Sequence, residues 1–131
     1  MNTPNNNYRI LVVDSSLIVA ERLNALLKDL ECVQMVSRAY SYKQALELLA
    51  KENYEVVLLD SQLPDRSGFD LLAFIKKQYP ETKTIMLTNQ SSGLYRNKGL
   101  QMGTDHFIDK SSEFESVVPI INNYAVGYQM N

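Results

Sequence analysis

The sequence is poor in the residues that build common cofactor and metal sites. Its 131 residues include one Cys, one His, no Trp and five Gly. A single Cys cannot form an internal disulfide, and one Cys with one His cannot complete a structural zinc site. None of the five glycines forms a G-x-G pair, which argues against dinucleotide binding.

The sequence also lacks a basic excess and a long apolar run. Thirteen Lys and Arg residues face fifteen Asp and Glu, which gives a formal net charge of -2, whereas nucleic-acid-binding domains are usually basic. The longest apolar run is five residues, 71–75, and about 20 are needed to span a bilayer. We expect a cytoplasmic protein of one domain, residues 8–131, that follows a disordered tail over residues 1–7 and contacts neither nucleic acid nor membrane.

What the sequence does have is a regular alternation of short apolar runs with segments of helical periodicity. The continuously apolar runs 10–13 and 56–59 are typical of strands buried on both faces. Residues 84–87 and 107–108 predict two further strands, and residues 33–37 predict a weaker one. Five such strands alternating with helices predict an α/β fold. For this length we expect a doubly wound, flavodoxin-like parallel sheet of five strands in the order 2-1-3-4-5.

Two capping boxes and a proline set expectations for the helix boundaries. Ser41-x-x-Gln44 predicts the start of the second helix, and Ser112-x-x-Glu115 predicts the start of the last. Pro119 would lie inside that last helix, where it costs about 3 kcal/mol unless the helix begins close to it. We therefore expect a turn or irregularity just before Pro119.

Four predicted strands are followed by a residue that can carry chemistry. Asp14 follows the first strand, Asp60 the third, Thr88 the fourth and Lys110 the fifth. A lone Asp here is as often a helix cap, and a lone Lys is usually a solvated surface charge. All four, however, are expected at one edge of a parallel sheet. Two close carboxylates repel unless cations compensate, so this edge requires Lys110 and a hard metal such as Mg²⁺.

Several stretches resemble the receiver domain of two-component response regulators, from about Tyr8 to the C-terminus. Residues 56–68, VVLLDSQLPDRSG, resemble the family's loop after the phospho-acceptor aspartate. Residues 85–88, IMLT, and 107–110, FIDK, resemble the other two landmarks at the family's intervals. Residues 103–115 further resemble a bacterial subgroup of stand-alone receivers.

The resemblance implies a phospho-accepting signalling protein rather than an enzyme. It makes Asp60 the acceptor of a phosphoryl group from a phosphohistidine on a histidine kinase or a histidine phosphotransfer protein. Asp14, Asp60 and the backbone carbonyl of Gln62 would hold Mg²⁺. Lys110 would supply a second positive charge, and Thr88 would donate its hydroxyl to a phosphoryl oxygen.

The resemblance also implies how a signal would leave the domain. Phe107 is expected to couple movement of the threonine hydroxyl to burial of its own ring. The fourth helix, fifth strand and fifth helix would form the surface that binds a downstream protein or a second copy of the chain. Tyr95, Tyr124 and Tyr128 are candidate contacts there, although packing in the core explains Tyr124 and Tyr128 equally well. Because only 21 residues follow Lys110, we expect no output domain.

Two positions depart from the family pattern. Ser15 stands where most receivers carry a second acid that ligates the metal, so a raised Mg²⁺ requirement is expected. Ser15 could still offer a neutral oxygen ligand, but we expect it to cap the first helix instead. Ser111 follows Lys110 where many receivers have proline. A cis bond before a residue other than proline costs roughly 2.5–4 kcal/mol, so a trans bond is expected.

Three other functions compete with this interpretation. A pseudo-receiver would use the same surface without phosphorylation, and Ser15 is its chief support. An aspartate-dependent phosphatase would use Asp14 as nucleophile, but that pattern requires an acid where this chain has Ser16. A flavin-binding flavodoxin would carry glycine in its phosphate loop, and residues 14–18, DSSLI, have none.

Overall fold

Strands and helices alternate along the chain as the apolar runs predict. The computed structural model describes residues 7–89 and 93–130, apart from the side chains of residues 127–130. Its elements are β1 Tyr8–Val13, α1 Leu17–Leu27, β2 Val33–Ala39, α2 Tyr42–Lys51, β3 Val56–Asp60, α3 Gly68–Gln78, β4 Lys83–Thr88, α4 Gly93–Gln101, β5 His106–Asp109, a 3₁₀ turn Phe114–Ser116 and α5 Val117–Met130. Of the predicted disordered tail, residues 1–6 lie outside the described part.

The five strands form one parallel sheet in the order β2-β1-β3-β4-β5. This confirms the predicted doubly wound, flavodoxin-like α/β fold. The order reverses between β1 and β3, which is where such sheets bind their ligands. Among the described residues, no helix has the length and apolar character that crossing a membrane requires.

The sheet buries an apolar layer on each face, which explains the continuous apolar runs. Successive side chains of a strand point to opposite faces. In β1, Ile10 and Val12 pack with α1 and α5, whereas Leu11 and Val13 pack with α2 and α3. Because helices cover both faces of the sheet, the central strands have no positions that face solvent, and their sequences do not alternate between apolar and polar residues.

The capping box at the start of α2 is confirmed with a small change. Ser41 Oγ accepts a hydrogen bond from the Gln44 N–H at 3.1 Å. The Gln44 side chain in turn accepts from the Tyr40 N–H at 2.7 Å, one residue before the expected position. Both contacts satisfy N–H groups at the helix start that have no partner within the helix.

The predicted capping box at the start of the last helix is wrong. The residue before the 3₁₀ turn is Glu113, and no side chain caps that turn. The expected irregularity is confirmed, because the 3₁₀ turn occupies Phe114–Ser116 and α5 begins at Val117. Pro119 therefore lies in the first turn of α5, where its missing N–H breaks no helical hydrogen bond.

Helix α4 is held to the sheet by very little apolar surface. Gly99 is its only buried residue. Leu94 and Leu100 are 80% and 48% exposed. Each of the other four helices buries at least one large apolar side chain, namely Leu23 in α1, Leu49 in α2, Leu71 in α3 and Ile121 in α5, so α4 is the most weakly packed of the five.

Asp105 ties α3 to the end of the sheet opposite the switch point. Its Oδ2 accepts from the Thr84 N–H at 2.9 Å and from Lys76 Nζ at 3.0 Å. Burial alone would raise the pKa of Asp105, but these donors outweigh it and the pKa is lowered. A carboxylate with a depressed pKa stabilises the fold above its unfolded pKa, and that stabilisation is lost as the pH falls through the folded value.

Replacing Asp105 by asparagine should therefore destabilise the protein in a pH-dependent way. We expect Asp105→Asn to lower the free energy of unfolding by about 1–2 kcal/mol at pH 7. The difference should shrink as the pH falls below about 4, where the Asp105 carboxylate of the unfolded chain begins to take up protons. Urea denaturation at pH 7 and pH 3 measures both values. Asp29→Asn, at an exposed position, serves as the control and should match the wild type, and an equal loss from Asp105→Asn at both pH values contradicts the prediction.

Candidate functional site

The carboxyl ends of β1 and β3 and the residue after β5 bring two carboxylates and an ammonium group together. Lys110 Nζ lies 2.5 Å from Asp14 Oδ2 and 3.1 Å from Asp60 Oδ2. The side chains of Asp14, Asp60 and Lys110 are 1%, 13% and 6% exposed. The predicted convergence of these residues at the switch point is present, and Asp60 is the carboxylate that solvent reaches more easily.

A local backbone turn orients each carboxylate. Asp14 Oδ1 accepts from the Ser16 N–H at 2.8 Å, and Asp60 Oδ1 accepts from the Gln62 N–H at 3.2 Å. Asp side chains favour such turns because they can bond the backbone two residues ahead. One oxygen of each carboxylate is thus held by the backbone, while the other faces Lys110.

The prediction that Ser15 caps α1 is wrong. The N-cap is Ser16, whose Oγ accepts from the Val19 N–H at 3.3 Å. The turn at Asp14 uses the Ser16 N–H and delays the start of the helix to Leu17. Ser15 is therefore left exposed beside the site.

The net charge of the site favours binding of a cation. Burial raises the pKa of Asp60 and the charge of Asp14 adds to this, while Lys110 opposes both. Asp14 Oδ2 is buried and, among the described residues, accepts no well-oriented hydrogen bond, although Lys110 Nζ is close. Two carboxylates against one ammonium leave a net negative charge, and carboxylate oxygens suit Mg²⁺. The residues present therefore fit a hard divalent cation.

Few acidic side chains that could hold a cation lie at this edge. Residues 7–89 and 93–130 contain no group of three or more His, Cys, Asp or Glu side chains arranged to hold a metal ion. Asp14 and Asp60 are the two acids at the switch point, and Ser15 adds no charge to them. Fewer charged ligands lower the affinity for a divalent cation.

Thr88 lies at the same edge, in contact with a residue that we did not predict from the sequence. Its side chain is buried, and its Oγ1 accepts a hydrogen bond from Ser61 Oγ at 3.0 Å. The Thr88 carbonyl accepts from the Lys110 N–H at 2.8 Å, which joins the ends of β4 and β5. A polar residue directly after Asp60, at the end of a buried strand, is the sequence signal that would have identified Ser61.

Phe107 is buried under α4. Its ring contacts Gly99 so closely that a Cβ atom there would lie 2.9 Å from the ring Cδ2. Arg96 covers the ring, with Cζ 5.4 Å from its centroid, and donates to the Phe107 carbonyl at 3.1 Å. The same guanidinium donates to Glu113 Oε1 at 3.0 Å, so Arg96 links α4 to the segment before α5.

The peptide bond between Lys110 and Ser111 is trans. The described residues contain no cis peptide bond, so the expected trans bond is confirmed.

Two of the three candidate contact tyrosines are described. Tyr95 packs edge-on against Phe69, with ring centroids 5.7 Å apart, and the Tyr124 hydroxyl lies 2.6 Å from His106 Nδ1. Both tyrosines are half-buried. The side chain of the third candidate contact, Tyr128, lies outside the described residues.

This combination of fold and edge chemistry is that of the receivers that carry phosphoryl signals. Residues 10–122 match the family model of the response regulator receiver domain. The chain belongs to that family, which acts in two-component systems. Receiver domains are generally signalling modules rather than enzymes. They accept phosphoryl groups, bind Mg²⁺ at the phosphorylation site and interact with histidine kinases and downstream effectors.

Individual relatives support the same assignment. The chain is 34% identical over 110 residues to the transcriptional regulatory protein DltR of Streptococcus agalactiae, covering 84% of this chain and 48% of the relative. It therefore spans about half the length of the curated relatives it matches. The receiver domain of the Francisella response regulator 1452 aligns at a TM-score of 0.80 with 25% identity, covering 94% of this chain and 99% of that one. The signal receiver domain of an HD domain-containing protein from Pseudomonas fluorescens aligns at 0.81 with 29% identity, covering 99% and 94%.

Proposed function

We propose that this receiver accepts a phosphoryl group on Asp60 from a phosphohistidine of a partner in the cytoplasm, and signals by changing which protein it binds. The observation that carries the proposal is the difference between the two carboxylates. Asp60 is 13% exposed and lies 3.1 Å from Lys110 Nζ, whereas Asp14 is 1% exposed. An incoming phosphohistidine reaches Asp60 first, which also argues against a phosphatase that uses Asp14 as nucleophile.

The proposed reaction is a direct transfer. A carboxylate oxygen of Asp60 attacks the phosphorus, the P–N bond to the histidine breaks, and the imidazole leaves with the electron pair and takes up a proton. Lys110 offsets the charge on the phosphoryl oxygens, and the Thr88 hydroxyl donates to one of them. Mg²⁺, held by Asp14, Asp60 and the backbone carbonyl of Gln62, would neutralise further oxygen charge and favour in-line alignment.

Intact-mass spectrometry tests the proposal. Incubation with a small acyl phosphate and Mg²⁺ should add one phosphate to the wild type and none to Asp60→Asn. Asp70→Asn, an exposed acid in α3, is the matched control and should keep the phosphate. A phosphate that persists in Asp60→Asn assigns the acceptor to another residue and overturns the proposal.

A second candidate is a pseudo-receiver that binds partners without phosphorylation. The small number of acids at the site favours it, because Ser15 adds no charge and Lys110 already contacts both carboxylates. This candidate predicts no added mass even at saturating Mg²⁺. The mass experiment therefore separates the two functions directly.

The residue at position 15 should determine how much Mg²⁺ phosphorylation requires. We expect Ser15→Asp to lower the Mg²⁺ concentration for half-maximal phosphorylation about tenfold, because an added carboxylate increases the charge that attracts the cation. Ser15→Asn introduces a side chain with the shape of aspartate but without its charge, and this variant should behave like the wild type. Titrating Mg²⁺ against the phosphorylation rate measures all three proteins. Equal requirements for the three proteins would exclude a metal-ligand role for this position.

We propose α4, β5 and α5 as the surface that binds the downstream protein or a second copy of the chain. The exposed side chains of Leu94 and Leu100 support this choice, because apolar groups in water favour contact with a partner. Sedimentation of the phosphorylated and unphosphorylated protein decides whether the partner is a second copy. That this receiver acts alone, without an output domain, stays a prediction.

A further inference from the structure

We propose that Asp65 is a positioning residue, which holds the loop between β3 and α3, residues 61–67, against the amino end of α2. By this contact it keeps the loop, and with it the backbone of Gln62, in one arrangement beside the acidic edge. That the Gln62 carbonyl is a ligand of Mg²⁺ rests on the proposed function. The contact between the loop and α2 is independent of it.

Both carboxylate oxygens of Asp65 bind the backbone of α2. Oδ1 accepts a hydrogen bond from the Tyr42 N–H at 2.9 Å, and Oδ2 accepts one from the Lys43 N–H at 3.0 Å. Two bonds from one ionised group fix its direction as well as its distance. The Lys43 and Tyr42 N–H groups also lower the pKa of Asp65, so the carboxylate is charged at neutral pH and suits the positive end of the helix dipole.

Helix α2 does not satisfy these two N–H groups from its own sequence. The first four N–H groups of a helix have no acceptor within the helix. Ser41 serves the third and fourth of them in α2, through its side chain and its carbonyl oxygen. The first two belong to Tyr42 and Lys43, and Asp65 binds them from 23 and 22 positions further along the chain. The cap of α2 is therefore also the attachment of the loop.

Arg66 strengthens the same attachment. Its guanidinium lies over the Tyr42 ring, with Cζ 4.6 Å from the ring centroid. Its Nε lies 3.4 Å from Asp70 Oδ2 in the first turn of α3. A cation over the face of an aromatic ring is attracted to it. Arg66 thus joins the loop to the helices on both sides of it.

The base of the loop is closed by backbone contacts. The Ser61 carbonyl accepts from the Gly68 N–H at 2.9 Å. Gln62 and Ser67 form an isolated antiparallel bridge, so residues 63–66 make a short turn between them. A turn that is closed at its base and attached to α2 near its tip has little freedom to change its arrangement.

This closed turn connects Asp65 to the acidic edge. Pro64 restricts the backbone between Gln62 and Asp65, because its ring fixes φ. The Gln62 N–H donates to Asp60 Oδ1 at 3.2 Å, so the turn reaches the proposed phospho-acceptor itself. A protein whose binding arrangement is populated only part of the time binds its ligand more weakly by that fraction. Loss of the Asp65 contact should therefore weaken cation binding through Gln62.

Amide hydrogen exchange, followed by nuclear magnetic resonance in metal-free, unphosphorylated protein, tests the contact. Asp65 is exposed, so Asp65→Ala leaves the core intact. We expect this variant to exchange the N–H groups of Gln62 and Gly68 about 3- to 10-fold faster than the wild type, because the loop opens more often. Unchanged exchange at both groups overturns the proposal, whatever the protein does with metal or phosphate.

Ser41→Ala is the matched control. It removes the other side-chain cap of α2 and leaves the loop and its contacts with Tyr42 and Lys43 in place. Losing this cap should weaken the helix start, but exchange at Gln62 and Gly68 should match the wild type. Equal acceleration in Ser41→Ala and Asp65→Ala would assign the effect to the stability of α2 and overturn the positioning role.

Titration of the unphosphorylated protein with Mg²⁺, followed by amide chemical shifts, tests the consequence for the site. The Mg²⁺ concentration for half-saturation should rise about 3- to 10-fold in Asp65→Ala and stay unchanged in Ser41→Ala. The titration is repeated at high ionic strength, which screens the effect of the lost charge alone. A rise that disappears at high ionic strength contradicts the positioning role.

The two measurements separate this proposal from the proposed function. If exchange depends on Asp65 while the wild type binds no Mg²⁺ or takes up no phosphate, the proposed function fails and the positioning role stands. If the wild type binds Mg²⁺ and is phosphorylated, and Asp65→Ala changes neither the exchange nor the Mg²⁺ requirement, the positioning role fails alone.

Discussion

Replacing Lys110 by methionine is expected to lower the free energy of unfolding by about 3 kcal/mol in metal-free buffer and to slow phosphorylation about 100-fold. The lysine is 6% exposed at its side chain and contacts both Asp14 and Asp60. Methionine keeps most of the volume but leaves two close carboxylates without a cation. Breaking a buried ion pair on one side is costly because the remaining charge stays desolvated.

Urea denaturation in the presence of a chelator measures the loss of stability, and intact-mass kinetics measure the phosphorylation rate. Lys77→Met removes an exposed lysine from α3 and serves as the matched control. It should change the free energy of unfolding by no more than about 0.5 kcal/mol. If Lys110→Met is as stable as this control, the ammonium group does not compensate the two carboxylates.

Gly68→Ala should have the second large effect. A Cβ atom at this position would lie 1.8 Å from the Asp60 carbonyl oxygen and 2.8 Å from the Ser61 Cα. Both are backbone atoms, so the β3–α3 loop must move to admit a methyl group. We expect the free energy of unfolding to fall by about 3 kcal/mol, the upper end of the cost of overpacking. Phosphorylation should also slow, because the loop begins directly after Asp60.

Gly93→Ala is the control for the glycine substitution. Among residues 7–89 and 93–130, no atom lies within 4 Å of a Cβ atom built there, and Gly93 begins α4. Alanine should leave the stability unchanged or raise it by up to about 1 kcal/mol, since it favours helix more than glycine does. Denaturant midpoints of the two variants, measured side by side, separate crowding from helix propensity. A Gly68→Ala protein as stable as Gly93→Ala would show that the loop accommodates the methyl group.

The strands could be predicted from the pattern of apolar residues along the sequence. The convergence of the site residues could be predicted from the order of the strands in a parallel sheet. Strands buried on both faces are apolar throughout, and parallel strands place their carboxyl ends together. From these two facts, the positions of Asp14, Asp60 and Lys110 in the sequence place them at one edge. No knowledge of distant contacts was needed.

The predictions that failed depend on contacts that the local pattern does not contain. Ser15 loses the cap of α1 because Asp14 bonds the Ser16 N–H and shifts the helix start by one residue. At the last helix, Glu113 accepts from the Asp109 N–H and from Arg96, and the second of these comes from α4. One-residue shifts of this kind follow from side-chain hydrogen bonds, which propensities do not resolve.

The contact between Ser61 and Thr88 was missed for a different reason. The two residues are 27 positions apart in the chain. A hydrogen bond between side chains of different strands depends on the strand register to within one residue. The register follows from the assembled sheet rather than from either segment alone.

Because α4 buries little apolar surface, we expect it to separate from the sheet more easily than the rest of the protein unfolds. A helix that buries one glycine contributes little to the free energy that holds the sheet together. The free energy for releasing α4 locally is therefore a small fraction of that for global unfolding. We therefore expect helix α4, which covers Phe107, to detach and return many times within the lifetime of one folded molecule, while the strands that hold the acidic edge stay paired.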